Sequence, residues 1–574
     1  MKCTGARILI ESLIAQGVDT IFGYPGASVL NIYDELYRYR KKIRHILVSH
    51  EQHAAHAADG YARSTGRAGV CLATSGPGAT NLVTGIATAF VDSVPLVAIT
   101  GNVSLSLLGK DSFQEVDIAG ITMPIVKHNW IAEDVRDLAE IVREAFIVAL
   151  AGRQGPVLID IPKDVTGALC EFSARNEESE IIGAEYGINN RAKRFIKKTK
   201  IETYNSDDIN KAAALINESK RPMIYAGGGV IRSDAFAELR KFAELLRAPV
   251  ALSLMGMGAI PSDHHLYTGL IGMYGTTASI KAAQNCDLLI AAGARFSDRV
   301  TNSITGNNEK YFFKNAKIIH IDIDPAEINK NIYTDSFIIG DIKVVLNKLI
   351  EKIHERSENE RDKDIQKWKE ETAEDHQYKN DLNKKNLTPH FIIKETAKTL
   401  GDNTIVVTDV GQHQIWTAQY YPFKKPRSFL SSGGMGTMGF GMGAASGAKI
   451  ANPKTPVVLF TGDGCFRMDC AELATMVKYD LPVLIIIFNN KTLGMLRQWQ
   501  NIYYKSNYYE TDLDSRSPDF IKLAEAYGVR GFRVTDEKSF TEALEKTKEF
   551  LAAGKPAVIE AVIDKDEKVK MPVS

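Results

Sequence analysis

Two segments of this chain, "PVVLF" at 456–460 and "PVLIIIF" at 482–488, are apolar at every position and rich in β-branched residues. A strand with one wet face would alternate apolar and polar side chains, so strands of this texture are covered on both faces. The intervening "CAELATMVKYD" (470–480) has the spacing of a helix. A strand, a helix and a second strand in this order close with a right-handed crossover, which makes the strands parallel. Parallel sheets need helices on both faces, and this restricts the chain to α/β architectures.

The alternation recurs along the chain. "AGVCLAT" (68–74), "VPLVAIT" (94–100) and "GPVLIDIP" (155–162) belong to a first unit. "RPMIYAGGG", "APVALSL", "DLLIAAGA" and "AKIIHIDID" belong to a second, and "NTIVVTDVG" and "KPAVIEAVI" join the opening pair in a third. At 574 residues the chain is too long for one core. It therefore reads as three consecutive doubly wound parallel-sheet domains, 1–168, 205–350 and 388–565. The polar stretch "EFSARNEESEIIGAEYGINNRAKRFIKKTK" reads as a linker, and the charged "EKIHERSENERDKDIQKWKEETAEDHQYKNDLNKKN" as a helical, solvated connector.

Lysine plus arginine and aspartate plus glutamate each total 70, a balance that argues against nucleic acid or an anionic membrane as partner. The six cysteines form no C-x-x-C pair, so neither a disulfide framework nor a zinc site is indicated and a reducing compartment fits. The start enters an amphipathic helix at once, so no cleaved targeting segment is expected. The apolar runs fall short of the ~20 residues that span a bilayer, and a soluble protein is expected.

Parallel strands share a polarity, so the residues just past both carboxyl ends lie on one edge of the sheet. Asp463 and Asn490 are thereby expected to converge. A carboxylate and an amide oxygen make an oxygen-only site suited to Mg²⁺, which completes its shell with water and phosphates. Gly462 and Gly464 let the backbone approach a phosphate, and the following helix offers amide donors. Taken separately, "GDG" reads as a turn and "NN" as a strand terminator.

The pattern of GDG, 24 intervening residues and NN is similar to the signature of the thiamin diphosphate enzymes. The resemblance implies that Asp463 and Asn490 hold Mg²⁺ on the cofactor's diphosphate, with Thr492 as the third protein ligand. "SHEQHAAHAADGYARSTG" (49–66) and "TSGPGATN" (74–81) resemble the family's aminopyrimidine-binding block, and "SGGMGTMGFG" (432–441) its cofactor-facing loop. A glutamate in a helix's first turn ordinarily complements the dipole; by resemblance Glu51 instead sets the aminopyrimidine tautomer. Gly436 would accept a hydrogen bond from the 4′-amino group, and Met438 would bend the cofactor. Pro77, Asn81, Gly411, Gln412, His413 and Met495 complete the implied thiamin contacts. The family pairs the first domain of one chain with the third of another, which implies a homodimer or a dimer of dimers.

From residue 1 to 565 the chain resembles acetolactate synthase catalytic subunits. "KDSFQEVDIAGITMPIVKHNW" carries Phe113, Gln114 and Lys127 at positions matching the family's substrate channel. "NNKTLGMLRQWQ" supplies Met495, Leu496 and Trp499 for the second-substrate pocket, which Met273, Asp298 and Arg299 would share. "YAGGGVI", "GMYGTTAS", "GARFSDRVT" and "IHIDIDPAEI" resemble an FAD-binding middle domain. By resemblance Gly227, Gly228, Gly229, Gly275, Arg295, Asp322 and Asp341 contact the flavin. The implied reaction decarboxylates pyruvate on thiamin diphosphate and joins the two-carbon unit to pyruvate or 2-oxobutanoate. The products are 2-acetolactate or 2-aceto-2-hydroxybutanoate, intermediates of branched-chain amino acid synthesis. A small regulatory subunit, and a bacterial cytoplasmic or plastid setting, are also implied.

Ala27, Ser297, Asn302 and Gly443 depart from the family's usual residues. Two other readings remain: an FAD-dependent pyruvate oxidase of the same fold, and a non-catalytic scaffold of that shape.

Overall fold

The computed structural model describes residues 2–172, 204–301, 313, 315–357, 360–376, 387–514 and 517–571. It contains three six-stranded sheets, each parallel throughout. The first runs Arg44–Leu47, Thr20–Gly23, Gly69–Ala73, Leu96–Asn102, Pro156–Pro162 and Asn129–Ile131 across its width. The third runs Phe429–Leu430, Ile405–Thr408, Val457–Gly462, Val483–Asn489, Ala557–Val562 and Arg530–Val534. In chain order both sheets place the second strand outside the first and the last strand inside the fifth, so the outer domains share one topology.

The middle sheet runs Tyr267–Leu270, Val250–Leu252, Pro222–Ala226, Leu288–Ala292, Lys317–Asp322 and Ser336–Ile339. Its chain reverses direction of growth between Pro222–Ala226 and Leu288–Ala292. This is the order of dinucleotide-binding sheets, which take their ligands at that reversal. Every residue of Val483–Asn489 and of Leu288–Ala292 is buried, as the unbroken apolar texture requires.

The charged connector differs from its reading as a solvated helix. Glu360–His376 is helical, but Ile365 and Trp368 are buried against the middle domain. Thr372 Oγ1 accepts from Ala278 N at 2.9 Å. Two apolar residues three apart suffice to dock one face of an otherwise polar helix. Most of the first linker, 173–200, lies outside the described residues, as does Asn302. Among the described residues no helix is long and apolar enough to cross a membrane.

The outer domains meet through two helices rich in small residues, Glu51–Thr65 and Gly441–Ala451. A Cβ on Gly447 would lie 1.8 Å from Ala57 O, and one on Gly60 would lie 2.2 Å from Ala444 O. The backbones touch, and only glycine permits it. Gly443 sits in the same contact, where a Cβ would lie 2.9 Å from His56 Cβ. Packing of this kind fixes the helix that begins with Glu51 relative to the sheet that ends in Asp463.

Candidate active site

The register Gly462↔Phe488 places Asp463 one residue, and Asn490 two residues, beyond paired positions on the same sheet edge. Both line a cavity of about 80 Å³ together with Gly411, His413, Met438, Gly464 and Thr492. Asp463 opens the helix Asp463–Asp469 and is 3% exposed. Its Oδ1 accepts from Gly464 N at 2.9 Å, whereas Oδ2 is buried without a partner. Burial pushes this carboxyl up to about 7, against the pull of the Gly464 and Lys491 amides. Such a group gains most from a cation.

Asn490 Oδ1 accepts from Thr492 N at 3.2 Å, and its Nδ2 donates to Gln412 Oε1 at 3.3 Å. The amide oxygen keeps a second lone pair. His413 Nε2 is likewise buried and unpartnered, and burial lowers the ring to about 3, so it is neutral. Cβ atoms on Gly411 and Gly462 would stand 3.0 and 3.1 Å from the His413 ring. Among the described residues no group of three or more His, Cys, Asp or Glu is arranged to hold a metal ion. A hard cation here would rest on one carboxylate, neutral oxygens and a phosphate ligand, which is the donor set Mg²⁺ takes.

A second cavity, of about 1130 Å³, opens beside the first and shares Val410, Gly411, Met495 and Leu496 with it. Gly228, Gly229, Arg295, Asp322 and Asp341 of the middle domain line one end. Gly229 N donates to Gly293 O at 2.9 Å, joining the two strand ends at the topological reversal. A Cβ on Gly227 would meet Gly293 O at 2.3 Å, and one on Gly275 would meet Gly272 O at 2.9 Å, so these glycines serve backbone packing. Burial raises Asp322 to about 6. Asp341 Oδ1 caps the helix Ile342–Ile350 through Lys343 N and Val344 N.

Met273, Asp298, Arg299, Met495, Leu496 and Trp499 all line the other end, with Gly436. The Arg299 guanidinium lies 5.7 Å from the Trp499 ring centre, and its Nη1 is 3.6 Å from Met273 Sδ. Ser297 lines the same wall.

Glu51 stands apart from both cavities in the single chain. It opens the helix Glu51–Thr65 and accepts from Asn81 Nδ2 at 2.9 Å. Pro77 begins the short helix Pro77–Asn81 beside it, and a Cβ on Gly78 would lie 3.3 Å from Glu51 Oε1. Gln114, with φ +61°, packs on Gly76, so it belongs to the Glu51 end. Phe113 next to it is 88% exposed. Lys127 itself lines neither cavity: its Nζ donates to Val148 O and to Ala151 O at the end of Leu138–Leu150, and Ala151 lines the large cavity.

Residues 409–561, 209–349 and 3–121 match, respectively, the C-terminal TPP binding, central and N-terminal TPP binding domains of the thiamine pyrophosphate enzymes. The chain is 48% identical to a probable acetolactate synthase large subunit of Methanocaldococcus jannaschii, over 99% of this chain and 93% of that protein. It is 45% identical to the acetolactate synthase large subunit of Cyanidium caldarium, over 98% and 94%. It is also 45% identical to an acetolactate synthase of Mycobacterium bovis, over 99% and 89%. The chain belongs to the acetolactate synthase large-subunit family.

Several residues at the site went unread in the sequence. Asp409, at the end of Ile405–Thr408, accepts from Val410, Gly439 and Gly441 amides and so holds the loop bearing Met438. Tyr274 lines the same end of the large cavity as Arg299 and Trp499, with its hydroxyl 3.7 Å from Met495 Sδ and within reach of Trp499. Gln498 ties Gln412 to the C-terminal segment through Val569. The strand-end position of Asp409 in "TDVG" was a usable signal; Tyr274 had none beyond its place in a glycine turn.

Proposed function

We propose that this chain is a carboligase that decarboxylates pyruvate and joins the two-carbon unit to pyruvate or 2-oxobutanoate, giving 2-acetolactate or 2-aceto-2-hydroxybutanoate. The observation that carries the reading is the meeting of three features. The buried, half-unpartnered Asp463 with Asn490, the Gly436–Met438 loop and the Arg299–Trp499 wall adjoin through two cavities that share Met495.

Thiamin diphosphate, when bound, supplies the electron sink for decarboxylation. Asp463, Asn490 and the Thr492 carbonyl would hold its diphosphate through Mg²⁺, with Gly411 and neutral His413 beside them. Gly436 and Met438 would orient the rings. Glu51 would promote the imino tautomer by protonating, or sharing a proton with, the far ring nitrogen. Because Glu51 lies away from the Asp463 cavity within one chain, the complete site needs a second copy, whose Glu51, Gln114 and Phe113 would enter it. Arg299 can pair with a 2-oxo acid carboxylate, while Trp499 provides apolar area for one extra methylene. Gly228, Gly229, Arg295, Asp322 and Asp341 would bound an FAD site without redox turnover. The relatives named as large subunits suggest a small regulatory partner.

Purified protein with Mg²⁺, thiamin diphosphate and FAD, given equal pyruvate and 2-oxobutanoate, should release both acetohydroxy acids, resolved by chromatography. The shared cavity also brings a flavin cleft next to the thiamin end, which suits an oxidase. Stoichiometric bleaching of flavin by pyruvate without oxygen, and no acetohydroxy acid, would favour that reading instead.

A further inference from the structure

The turn 91–93, which ends the helix Val83–Val91, lies where the flavin cleft and the glycine loop 433–436 approach each other. Its three consecutive carbonyls all accept from guanidinium groups of the middle domain. Arg295 Nη1 donates to Val91 O at 2.9 Å, Arg232 Nη2 to Asp92 O, and Arg232 Nε to Ser93 O at 2.7 Å. Arg232 Nη1 also donates to Gly228 O at 3.1 Å, so a single side chain joins this turn to the first glycine turn of the cleft.

The Asp92 carboxylate faces the opposite way. It accepts from Gly433 N at 3.0 Å and Gly434 N at 2.8 Å, and pairs with Arg63 at 2.9 Å. Arg63 in turn pairs with Asp59 and donates to Ser431 O at 2.9 Å, so both sides of the loop's start are gripped. There is little slack: Cβ atoms on Gly434 and Gly433 would lie 2.4 Å from Val91 Cγ1 and 2.2 Å from Met255 Sδ. Asp92 is 2% exposed, and a carboxylate this buried keeps its partners in low dielectric, where they resist exchange with water.

We propose that Asp92 is a positioning residue through which occupancy of the flavin cleft and of the thiamin diphosphate site are energetically coupled. This rests on the two-cofactor reading above. The loop 433–436 contains three glycines, and ordering glycine backbone is entropically costly. A ligand that fixes Gly228, Arg232 and Arg295 fixes the turn, and through the Asp92 carboxylate it orders the loop ahead of the second ligand. The second ligand then meets less ordering cost, which is positive cooperativity without a large movement. Linkage requires the effect to be equal in both directions.

The test uses the full chain freed of cofactors. Thiamin diphosphate with Mg²⁺ is titrated calorimetrically without and with saturating FAD, and FAD is titrated by flavin fluorescence without and with saturating thiamin diphosphate and Mg²⁺. Both dissociation constants should fall by one common factor, about 5- to 150-fold. In Asp92→Asn, and in Arg232→Lys, each cofactor should still bind while the factor falls toward one. Equal constants with and without the other cofactor in the unaltered chain would overturn the coupling, whatever the variants do. An undiminished factor in Asp92→Asn would overturn the role given to Asp92. Failure of FAD to bind at all would remove the flavin reading and the coupling with it, and direct titration distinguishes that result from binding without coupling.

Discussion

Replacing Gly447 by alanine should destabilise the protein although the same change favours a free helix by about 1 kcal/mol. The added methyl would lie 1.8 Å from Ala57 O, 2.6 Å from Ala57 C and 2.9 Å from Ala57 Cα. All three atoms are backbone of the facing helix, so no side chain can swing aside. Regaining an ordinary contact requires the helices to part by roughly 1.5 Å. Overpacking costs typically 1–3 kcal/mol, and an unyielding backbone puts this case at the upper end, ~3 kcal/mol. After the propensity gain a net loss of about 2 kcal/mol remains. With a slope of ~2 kcal/mol/M, the first urea transition should move down by about 1 M. Because Glu51 heads the displaced helix, turnover should fall as well. A midpoint equal to or above that of the unaltered chain would refute the conclusion that these helices meet backbone to backbone.

Asp463→Asn keeps the shape of the small cavity and removes the carboxylate among its lining residues, so Mg²⁺-dependent affinity for thiamin diphosphate should drop by at least the roughly 10- to 100-fold that loss of an outer-shell partner of a metal typically costs. Calorimetry showing unchanged affinity would contradict the ligand assignment. Tyr274→Phe removes the hydroxyl that contacts Met495 and Trp499. The product ratio in mixed pyruvate and 2-oxobutanoate should shift toward acetolactate by about 2- to 10-fold, within the range of one methylene's discrimination, with the rate on pyruvate alone retained. Burial lowers Lys127 from 10.5 to about 8. The folded chain then binds fewer protons than the unfolded chain between those values, and this group's unfavourable contribution, full below pH 8, is relieved as pH rises toward 10.5. The unfolding free energy of the unaltered chain minus that of Lys127→Met should therefore rise by as much as about 3 kcal/mol across that window. A flat difference would mean that the amine is solvated.

Much of the architecture is legible in the chain because burial on both faces leaves a compositional trace. Runs such as "VLIIIF" have no polar alternation, and their strands are central in the sheets. Phe429–Leu430 and Asn129–Ile131 leave no such trace: they are edge strands of two and three residues, too short for a period to show. The strand-end rule placed Asp463 beside Asn490 because both follow parallel strands by fixed offsets. It is silent about Asp92, whose partners Gly433 and Gly434 lie more than 300 positions along the chain.

Sequence alone therefore determined the layered α/β class and the chemistry available at the strand ends, since both follow from local texture and short offsets. Which surfaces touch was decided only in three dimensions. The glycine crossing of the two outer domains, the burial of Trp368, the capture of Lys127 by helix carbonyls and the joining of the two cavities all arise from contacts between remote segments. Side-chain size and backbone approach set those contacts, and neither is encoded in the periodicity of any one segment.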